Sequence, residues 1–206
     1  MILETIVVGL MQVNCYILAE ASEGQAIIID PGAQERKIQS ILKRHSLKVA
    51  LIVNTHGHYD HIGCDDKFGV PVYIHTKDMK LLKDPQFNLS SLFALPFKVS
   101  SEIRCLEDNQ HIGIGGIELK ALHIPGHTPG GLALLMLRPQ DNVLFTGDTL
   151  FCQGIGRSDI TGGDQQLLIR SIKEKFLTLP DSTIVYPGHG PATNIGEEKK
   201  GNPFLV

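Results

Sequence analysis

The sequence predicts an α/β fold, in which short apolar strands alternate with amphipathic helices. Apolar runs of strand length recur along the 206 residues, and several end in glycine or in proline and glycine. Two longer stretches, 34–45 and 163–179, carry apolar residues at helical spacing. No linker and no repeat of constant period divides the chain, so we expect one domain spanning residues 1–206.

Composition and charge narrow the possible partners. Hydrophobic residues make up 42% of the chain, enough for a full core, and the net charge is -3 without any basic run. Nucleic acid is therefore not an expected partner, since its binding depends on clustered Lys and Arg. No apolar stretch approaches the roughly 20 residues of a membrane span, and Met1–Val8 lacks the basic start of a signal peptide. We expect a cytoplasmic protein that binds no membrane.

The cysteines give no sign of a disulfide framework. Cys15, Cys64, Cys105 and Cys152 lie far apart and form no CxxC pair. We expect small, buried apolar residues in a reducing compartment. A place in the lining of the functional site is a less favoured alternative for Cys64 and Cys152.

The first fifty residues predict strands around one helix. Strands are expected at 3–8, 14–19 and 26–29, and a buried strand at 49–53 follows the helix at 34–45.

Residues 60–105 predict shorter elements. A weak helix begins at Asp60, a strand covers 70–74 and a helix covers 76–82. Residues 83–105 show little periodicity and contain two prolines, so we expect a long surface loop that selects the substrate.

The densest cluster of ligand-type side chains follows the buried strand at 49–53. Within six positions, three imidazoles and one carboxylate come from His56, His58, Asp60 and His61. A polar capping loop explains single histidines better than four such residues together. The cluster therefore predicts a metal site at a strand end.

Three later strands end in a common pattern, a glycine followed by a ligand-type residue. The strands are predicted at 119–125, 142–146 and 183–187. The pairs that follow them are Gly126-His127, Gly147-Asp148 and Gly188-His189. Because glycine allows a sharp turn and a close approach of the backbone, each pair delivers a ligand at a strand end.

The candidate ligands divide into two metal sites. Residues two apart in extended backbone point the same way, so His56 and His58 are expected to bind one metal together with His127. The second site is assigned to Asp60, His61 and His189. Asp148 is the expected bridge between two divalent ions roughly 3.5–4 Å apart. Zinc is the first choice, and iron and manganese are alternatives.

Together these motifs resemble the metallo-β-lactamase-fold hydrolases. The matching segments are Thr55–His61, Pro125–Thr128, Gly147–Leu150 and Pro187–Gly190. The resemblance implies a four-layer αββα sandwich of two mixed β-sheets flanked by helices, with the metals at one edge. It also places Asp30 at the early aspartate of the family, which favours support of a ligand histidine over a simple turn.

Within that superfamily, 147–164 is similar to glyoxalase II, which hydrolyses S-D-lactoylglutathione to D-lactate and glutathione. The ending, 187–204, resembles short bacterial glyoxalase II-like proteins. Larger glyoxalase II enzymes carry a C-terminal helical extension that holds glutathione, and we expect this chain, which ends at Val206, to lack it. The resemblance therefore implies a small-molecule thioester substrate, with a glutathione derivative as one option.

The predicted reaction is hydrolysis of an acyl-thioester by a hydroxide that bridges the two metals. Asp148 is the bridging ligand, and Asp60 is the expected proton acceptor. Arg157 has two interpretations: it binds a substrate carboxylate, or it braces its glycine-rich loop by a salt bridge to Asp159.

Other reactions remain open at the same residues. Persulfide dioxygenases also resemble this sequence and use one iron, which would be held here by His56, His127 and Asp148. Lactonase and β-lactamase activities are further hydrolytic alternatives. A metal-binding module without catalysis is least favoured, because none of the expected ligands is missing. The sequence indicates no oligomeric state.

Overall fold

The first six strands form one mixed sheet in the order of the chain. The computed structural model describes residues 1–140 and 142–206. Its strands β1 to β6 are Ile2–Val8, Val13–Ala19, Gln25–Ile29, Lys48–Val53, Val72–Ile74 and Ile103–Cys105. β1, β2 and β3 are antiparallel, whereas β3, β4, β5 and β6 are parallel. Parallel neighbours require crossover connections, and these carry the helices of this half.

The later strands form a second mixed sheet. Strands β7 to β10 are His111–Ile114, Ile117–His123, Leu132–Arg138 and Val143–Gly147, and β13 and β14 are Ile184–Pro187 and Thr193–Asn194. Their order is β14-β13-β10-β9-β8-β7, with β10 and β13 parallel and the other neighbours antiparallel. A small hairpin of β11 (Leu150–Phe151) and β12 (Gly154–Ile155) follows β10.

The helices pack in two groups, one against each sheet. The first sheet carries α1 (Glu35–Arg44), α2 (Tyr59–Ile62) and α3 (Met79–Lys83), and the second carries α4 (Gln165–Lys175) and α5 (Ile195–Gly201). In α1 the apolar face is formed by Ile38 and Leu42, four residues apart and both buried. The Asp164 side chain caps α4 by accepting a 2.9 Å hydrogen bond from the Leu167 amide.

Alternation along the strands divides the core into three apolar layers. In β2, Ile17 packs with the α1 side, whereas its neighbour Leu18 packs between the sheets with Phe145. A third layer joins the second sheet to Leu168 and Ile172 of α4. Full burial of one such side chain contributes about 1.5–3 kcal/mol. The order helix, sheet, sheet, helix confirms the αββα sandwich implied by the motifs.

Some local expectations differ from the structure. The predicted loop at 83–105 contains a short 3-10 turn, Ser90–Phe93, and ends in β6, which pairs with β5. β9 is not among the predicted strands, because an apolar run without alternation does not distinguish a strand from a buried helix. Cys15 and Cys64 are buried as expected, but the prediction is wrong for Cys105 and Cys152, which are exposed. In the described part of the chain, no helix has the length and apolar character needed to cross a membrane.

In both sheets, strands end at the same edge of the sandwich, and the loops that follow them lie there. β8 and β10 run in the same direction, because each is antiparallel to β9, and β13 is parallel to β10. Two backbone hydrogen bonds join the sheets there, from the Asn14 amide to the Gly188 carbonyl at 2.7 Å and from the Leu132 amide to the Thr55 carbonyl at 2.7 Å. The segments that follow β4, β8, β10 and β13 therefore meet in one place.

Candidate metal centre

Three histidines from two segments form one group of ligand atoms, here called the histidine set. Its members are His56, His58 and His127, all buried. His58 Nδ1 lies 3.0 Å from His127 Nε2, and the His56 ring centroid lies 4.7 Å from that of His58 and 4.8 Å from that of His127. Three nitrogens that converge in this way can hold one cation and leave a fourth position open.

A second group, here called the mixed set, combines a carboxylate with two imidazoles. Its members are Asp60, His61 and His189. Asp60 Oδ2 lies 3.9 Å from His61 Nε2 and 3.6 Å from His189 Nε2. These separations exceed ordinary hydrogen bonds, so an ion between the atoms can be accommodated.

Asp148 lies between the two sets. Its Oδ1 is 3.3 Å from His61 Nε2, and its Oδ2 is 3.5 Å from His189 Nε2 and 3.8 Å from His127 Nε2. One carboxylate therefore reaches ligands of both sets, which is the position expected for a bridge.

Buried polar atoms without partners support a cation at this place. Among the described residues, no hydrogen-bond partner is found for His56 Nε2, His61 Nε2 or Asp148 Oδ1. Buried polar atoms are normally paired, because leaving them unpaired costs free energy. The nitrogen and carboxylate donors of this cluster suit zinc, iron or manganese.

Hydrogen bonds behind the cluster fix which ring nitrogen faces inward. His61 Nδ1 donates to Asp30 Oδ2 at 2.9 Å, His127 Nδ1 donates to the Arg157 carbonyl at 2.6 Å, and His189 Nδ1 donates to the Met11 carbonyl at 2.9 Å. In each ring Nε2 is thereby the nitrogen that faces the cluster, where it can bind a metal once it is deprotonated. Asp30 thus makes the contact expected of a residue that supports a ligand histidine.

Thr55 connects Asp30 to His56. Its hydroxyl donates to Asp30 Oδ2 at 2.7 Å, and its amide donates to Asp30 Oδ1 at 2.7 Å. Since the single hydroxyl proton is used there, the oxygen accepts from His56 Nδ1 at 3.2 Å. The pKa of His56 is lowered by burial, so its Nε2 is unprotonated and free to bind.

The pKa values of the histidines differ between the two sets. Burial, followed by the neighbouring His127, lowers the pKa of His58 to about 3, and burial with His61 lowers the pKa of His56 well below its usual range. In the mixed set burial also lowers the pKa values of the histidines, but the neighbouring carboxylates outweigh this effect. Asp148, Asp30 and Asp60 raise the pKa of His61, and the nearby carboxylates of Asp148 and Asp60 raise that of His189 to about 10.

The two carboxylates remain ionised. Burial raises their pKa values, but His61 and His189 outweigh it and hold the pKa of Asp148 well below its usual range. The same imidazoles lower the pKa of Asp60.

Two of the predicted glycines are required by close contacts. A Cβ at Gly188 would lie 2.2 Å from Asp148 Oδ1 and 2.9 Å from His61 Cε1. Gly147 has a φ of 51°, and a Cβ there would lie 2.3 Å from Thr55 Oγ1. Gly147 and Gly188 therefore make room for the cluster and for the threonine that supports it.

Asp78 is a site residue that the sequence did not reveal. Its buried carboxylate accepts from the Gly130 amide at 2.6 Å, the Thr128 hydroxyl at 2.7 Å and the Gly57 amide at 3.3 Å. It thus joins the loop of His56 and His58 to the loop of His127. An acidic residue within a predicted helix carries no local signal for this role.

A cleft of about 250 Å³ opens over the cluster, and Arg157 lies on its wall. The exposed Arg157 side chain binds Asp159 through two hydrogen bonds of 2.8 and 3.0 Å, while its backbone carbonyl holds His127. The salt bridge expected as one interpretation of Arg157 is therefore present, and its side chain also borders the space that a substrate would enter.

Comparison with known proteins identifies the family. A family model described as the metallo-beta-lactamase superfamily matches residues 8–189. The chain belongs to this superfamily. It is 38% identical to "Probable metallo-hydrolase YqgX" of Bacillus subtilis, over 96% of this chain and 94% of that protein. It is 36% identical to "Hydroxyacylglutathione hydrolase GloC" of Haemophilus influenzae, over 98% of this chain and 97% of that protein.

Solved structures show the same fold in close detail. The BLEG-1 B3 metallo-beta-lactamase superposes with a TM-score of 0.92 at 41% identity and covers 100% of both chains. TTHA1623, solved in a di-iron-bound form, has a TM-score of 0.84 at 35% identity and covers 98% of this chain and 100% of its own. The chain is a metallo-hydrolase of this superfamily, and its relatives carry the names of more than one substrate class.

Proposed function

We propose that this metallo-hydrolase cleaves acyl-thioesters with two divalent ions at the cluster. The observation that carries the proposal is the place of Asp148, whose two oxygens lie within 3.3–3.8 Å of imidazole nitrogens from both sets. The histidine set would hold one ion and the mixed set the other, with Asp148 shared. When bound, such a pair of ions provides hydroxide at neutral pH and polarises a carbonyl group.

The side chains around the cleft suit a reaction without a covalent intermediate. None of the residues that line the described cleft is a serine or a cysteine. Asp60 borders the cleft and is ionised at neutral pH, since His61 and His189 lower its pKa against the effect of burial. We assign Asp60 the role of proton acceptor.

Two observations favour a thioester over other substrates. The relative GloC, 36% identical over nearly its full length, is named a hydroxyacylglutathione hydrolase. The segment from Gly147 to Asp164 carries the glyoxalase II-like motif, and it places Arg157 beside the cleft, where a guanidinium can bind an anionic group of the substrate. A glutathione thioester is one such substrate.

The test combines metal analysis of the purified protein with an assay of thioester hydrolysis. We expect two metal equivalents per chain, loss of S-D-lactoylglutathione hydrolysis on chelation, and recovery on addition of zinc, iron or manganese. Hydrolysis that persists after complete metal removal would contradict the proposal.

A mononuclear iron dioxygenase is the second candidate. His56, His127 and Asp148 offer two imidazoles and a carboxylate, a donor set that suits iron and oxygen chemistry. Oxygen consumption with glutathione persulfide, measured beside thioester cleavage on the same preparation, separates the two reactions. A β-lactam belongs in the same panel, since BLEG-1 is named a B3 metallo-beta-lactamase.

A further inference from the structure

The loop from Asn88 to Phe97 has its polar groups inside and its apolar groups outside. The side chains of Asn88 and Ser90 are fully buried. Asn88 Nδ2 donates to the Phe97 carbonyl at 3.0 Å, Asn88 Oδ1 accepts from the Ser90 amide at 2.9 Å, and Ser90 Oγ accepts from the Phe97 amide at 3.2 Å. These bonds close the loop on itself and hold its shape without an apolar core of its own.

Three apolar side chains of this loop are left in solvent, whereas Phe97 packs partly buried against the core. Leu92 is 76% exposed, Phe93 50% and Leu95 73%. Opposite them, the turn between β1 and β2 exposes Leu10 and Met11. Isolated exposed leucines are common, but a contiguous exposed apolar patch beside a functional site indicates a binding surface.

An apolar groove of about 350 Å³ lies between the loop and the turn. Apolar side chains that line it include Leu10, Met11, Ala33, Phe93, Leu95 and Phe97. Of the described residues around it, Asp60 is the only charged one, and none is cationic. A volume in this range is typical of small-molecule sites, and the described lining offers no cation for the carboxylates of a hydrophilic substrate.

The groove is continuous with the cleft over the metal centre. Met11, Tyr59, Asp60 and Phe93 border both spaces. Tyr59 and Phe93 stack with ring centroids 4.5 Å apart and form the shared wall. In addition, the Tyr59 amide donates to the Asn88 carbonyl at 2.8 Å, so the loop is fixed to the metal-binding segment.

We propose that this groove binds the apolar acyl chain of the thioester whose hydrolysis is proposed above, and the inference rests on that reaction. Asp60 borders both the groove and the cleft over the cluster. An acyl chain that lies in the groove can therefore have its carbonyl carbon at the cluster, where hydroxide would attack. Arg157 borders the cleft but not the groove. The guanidinium can therefore bind an anionic group on the thiol side of the thioester. The apolar acyl chain, on the other side of the thioester bond, would lie in the groove.

Direct binding tests the groove without turnover. S-butyl, S-hexyl and S-octyl N-acetylcysteamine are thioethers that cannot be hydrolysed, and their affinity for the metal-loaded protein is measured by calorimetry. We expect affinity to rise about fourfold per methylene, the factor that corresponds to full burial of a CH₂ group.

Two groove variants and one control sharpen the measurement. Leu95→Ser should flatten the dependence on chain length, and Ala33→Leu, which fills the groove, should move the preference to shorter chains. Val206→Ser is the matched control, because Val206 is 75% exposed, close to the 73% of Leu95, and lies outside the groove. It should behave as the unmodified chain does.

Hydrolysis kinetics distinguish the acyl half from the thiol half. In one series the acyl group of an N-acetylcysteamine thioester grows from acetyl to octanoyl, and in the other an acetyl thioester is made with butane-, hexane- or octanethiol. We expect kcat/KM to rise along the first series only. A rise along the second series only would overturn the assignment to the acyl chain.

Different experimental results would overturn the assignment of the groove and the proposed reaction. Thioester cleavage with no dependence on chain length in either measurement would overturn the groove and leave the reaction intact. Thioether affinity that rises with chain length, in a protein that cleaves no thioester, would overturn the reaction and support an apolar-chain groove. A dimer that Leu95→Ser converts to a monomer, with chain-length dependence absent, would make the patch an interface and overturn the proposal.

Discussion

The histidine set and the mixed set lie in one cluster but differ in the protonation state of their histidines before a cation binds. In the histidine set, burial and neighbouring imidazoles lower the pKa values of His56 and His58, so both rings are neutral at pH 7. In the mixed set, carboxylates outweigh burial and raise the pKa values of His61 and His189, so both rings carry a second proton and are cationic at that pH.

The difference in protonation means that the two sets bind a metal ion in different ways. A ligand imidazole must be deprotonated before it binds a metal, so an ion binds His56 and His58 without displacing a proton. In the mixed set an ion replaces the protons that now balance Asp60 and Asp148. We infer that occupancy of the mixed set depends on pH more steeply than that of the histidine set. Asp148 connects the two, because it contacts both.

Substitution of Asp148 should weaken metal binding in both sets at once, and we expect it to have the largest effect on activity. We expect Asp148→Ala to lower kcat for thioester hydrolysis by about 10³-fold or more, since the shared charge of both sites is lost. Metal content and turnover are measured on the same sample. Asp181→Asn is the control, because Asp181 pairs with Lys199 on the surface. Full turnover by the Asp148 variant would contradict its role.

A change of pH should separate the sets. The pKa of His189 is raised to about 10, so at pH 8 and at pH 6 an ion must displace its proton, and affinity falls about tenfold per pH unit for each proton displaced. The pKa of His58 is lowered to about 3, so that ring is neutral at both pH values. We expect equilibrium dialysis at one fixed ion concentration, just sufficient to saturate both sets at pH 8, to find two ions per chain at pH 8 and one at pH 6. Parallel loss of both ions would contradict the comparison.

Sequence reasoning singled out the candidate ligands that the structure brings together because they carry local signals. His56 and His58 follow an apolar strand within three to five residues, and His127, Asp148 and His189 each follow a glycine at a strand end. Such signals arise because a strand ends where its backbone turns, and the turn decides where the next side chain points. The αββα layers followed from the resemblance that these same motifs carry.

The features missed from sequence depend on contacts between distant segments. β6 is a three-residue edge strand whose hydrogen bonds come from β5 and not from a pattern of its own. Asp78 accepts from Gly57, Thr128 and Gly130, which lie 21, 50 and 52 residues away. The exposed apolar side chains of the loop around Ser90 were expected only as part of an aperiodic segment, since exposure is set by the folded neighbours.

A change at Asp30 should weaken the mixed set and spare most of the histidine set. Asp30→Asn replaces an acceptor of His61 Nδ1 by an amide, which no longer fixes the ring with Nε2 unprotonated. Loss of such a supporting contact typically lowers metal affinity about 10–100-fold. Competition with a chromophoric chelator measures both binding steps, and we expect the weaker step alone to shift. An equal shift of both steps would show that Thr55, which also binds Asp30, transmits the change to His56.

A change at Asp78 should act on the opposite set and has the smallest expected effect on binding. Asp78→Ala leaves the Gly57 and Gly130 amides and the Thr128 hydroxyl without their acceptor, and unpaired buried groups cost about 1–3 kcal/mol each. The loops that carry His58 and His127 should then separate more easily. We expect the melting temperature to fall and the affinity of the histidine set to drop about tenfold, the lower end of such supporting effects.

The conservative variant Asp78→Asn distinguishes loop positioning from a general loss of stability. Its amide oxygen can still accept from Gly130 or Thr128, so it should restore part of the affinity of the histidine set. Asp78 contacts none of the mixed set's members among the described hydrogen bonds, so binding there should stay unchanged in both variants. Weaker binding in the mixed set at a temperature well below melting would mean that the loop connection supports the whole cluster and that the two sets are not independent.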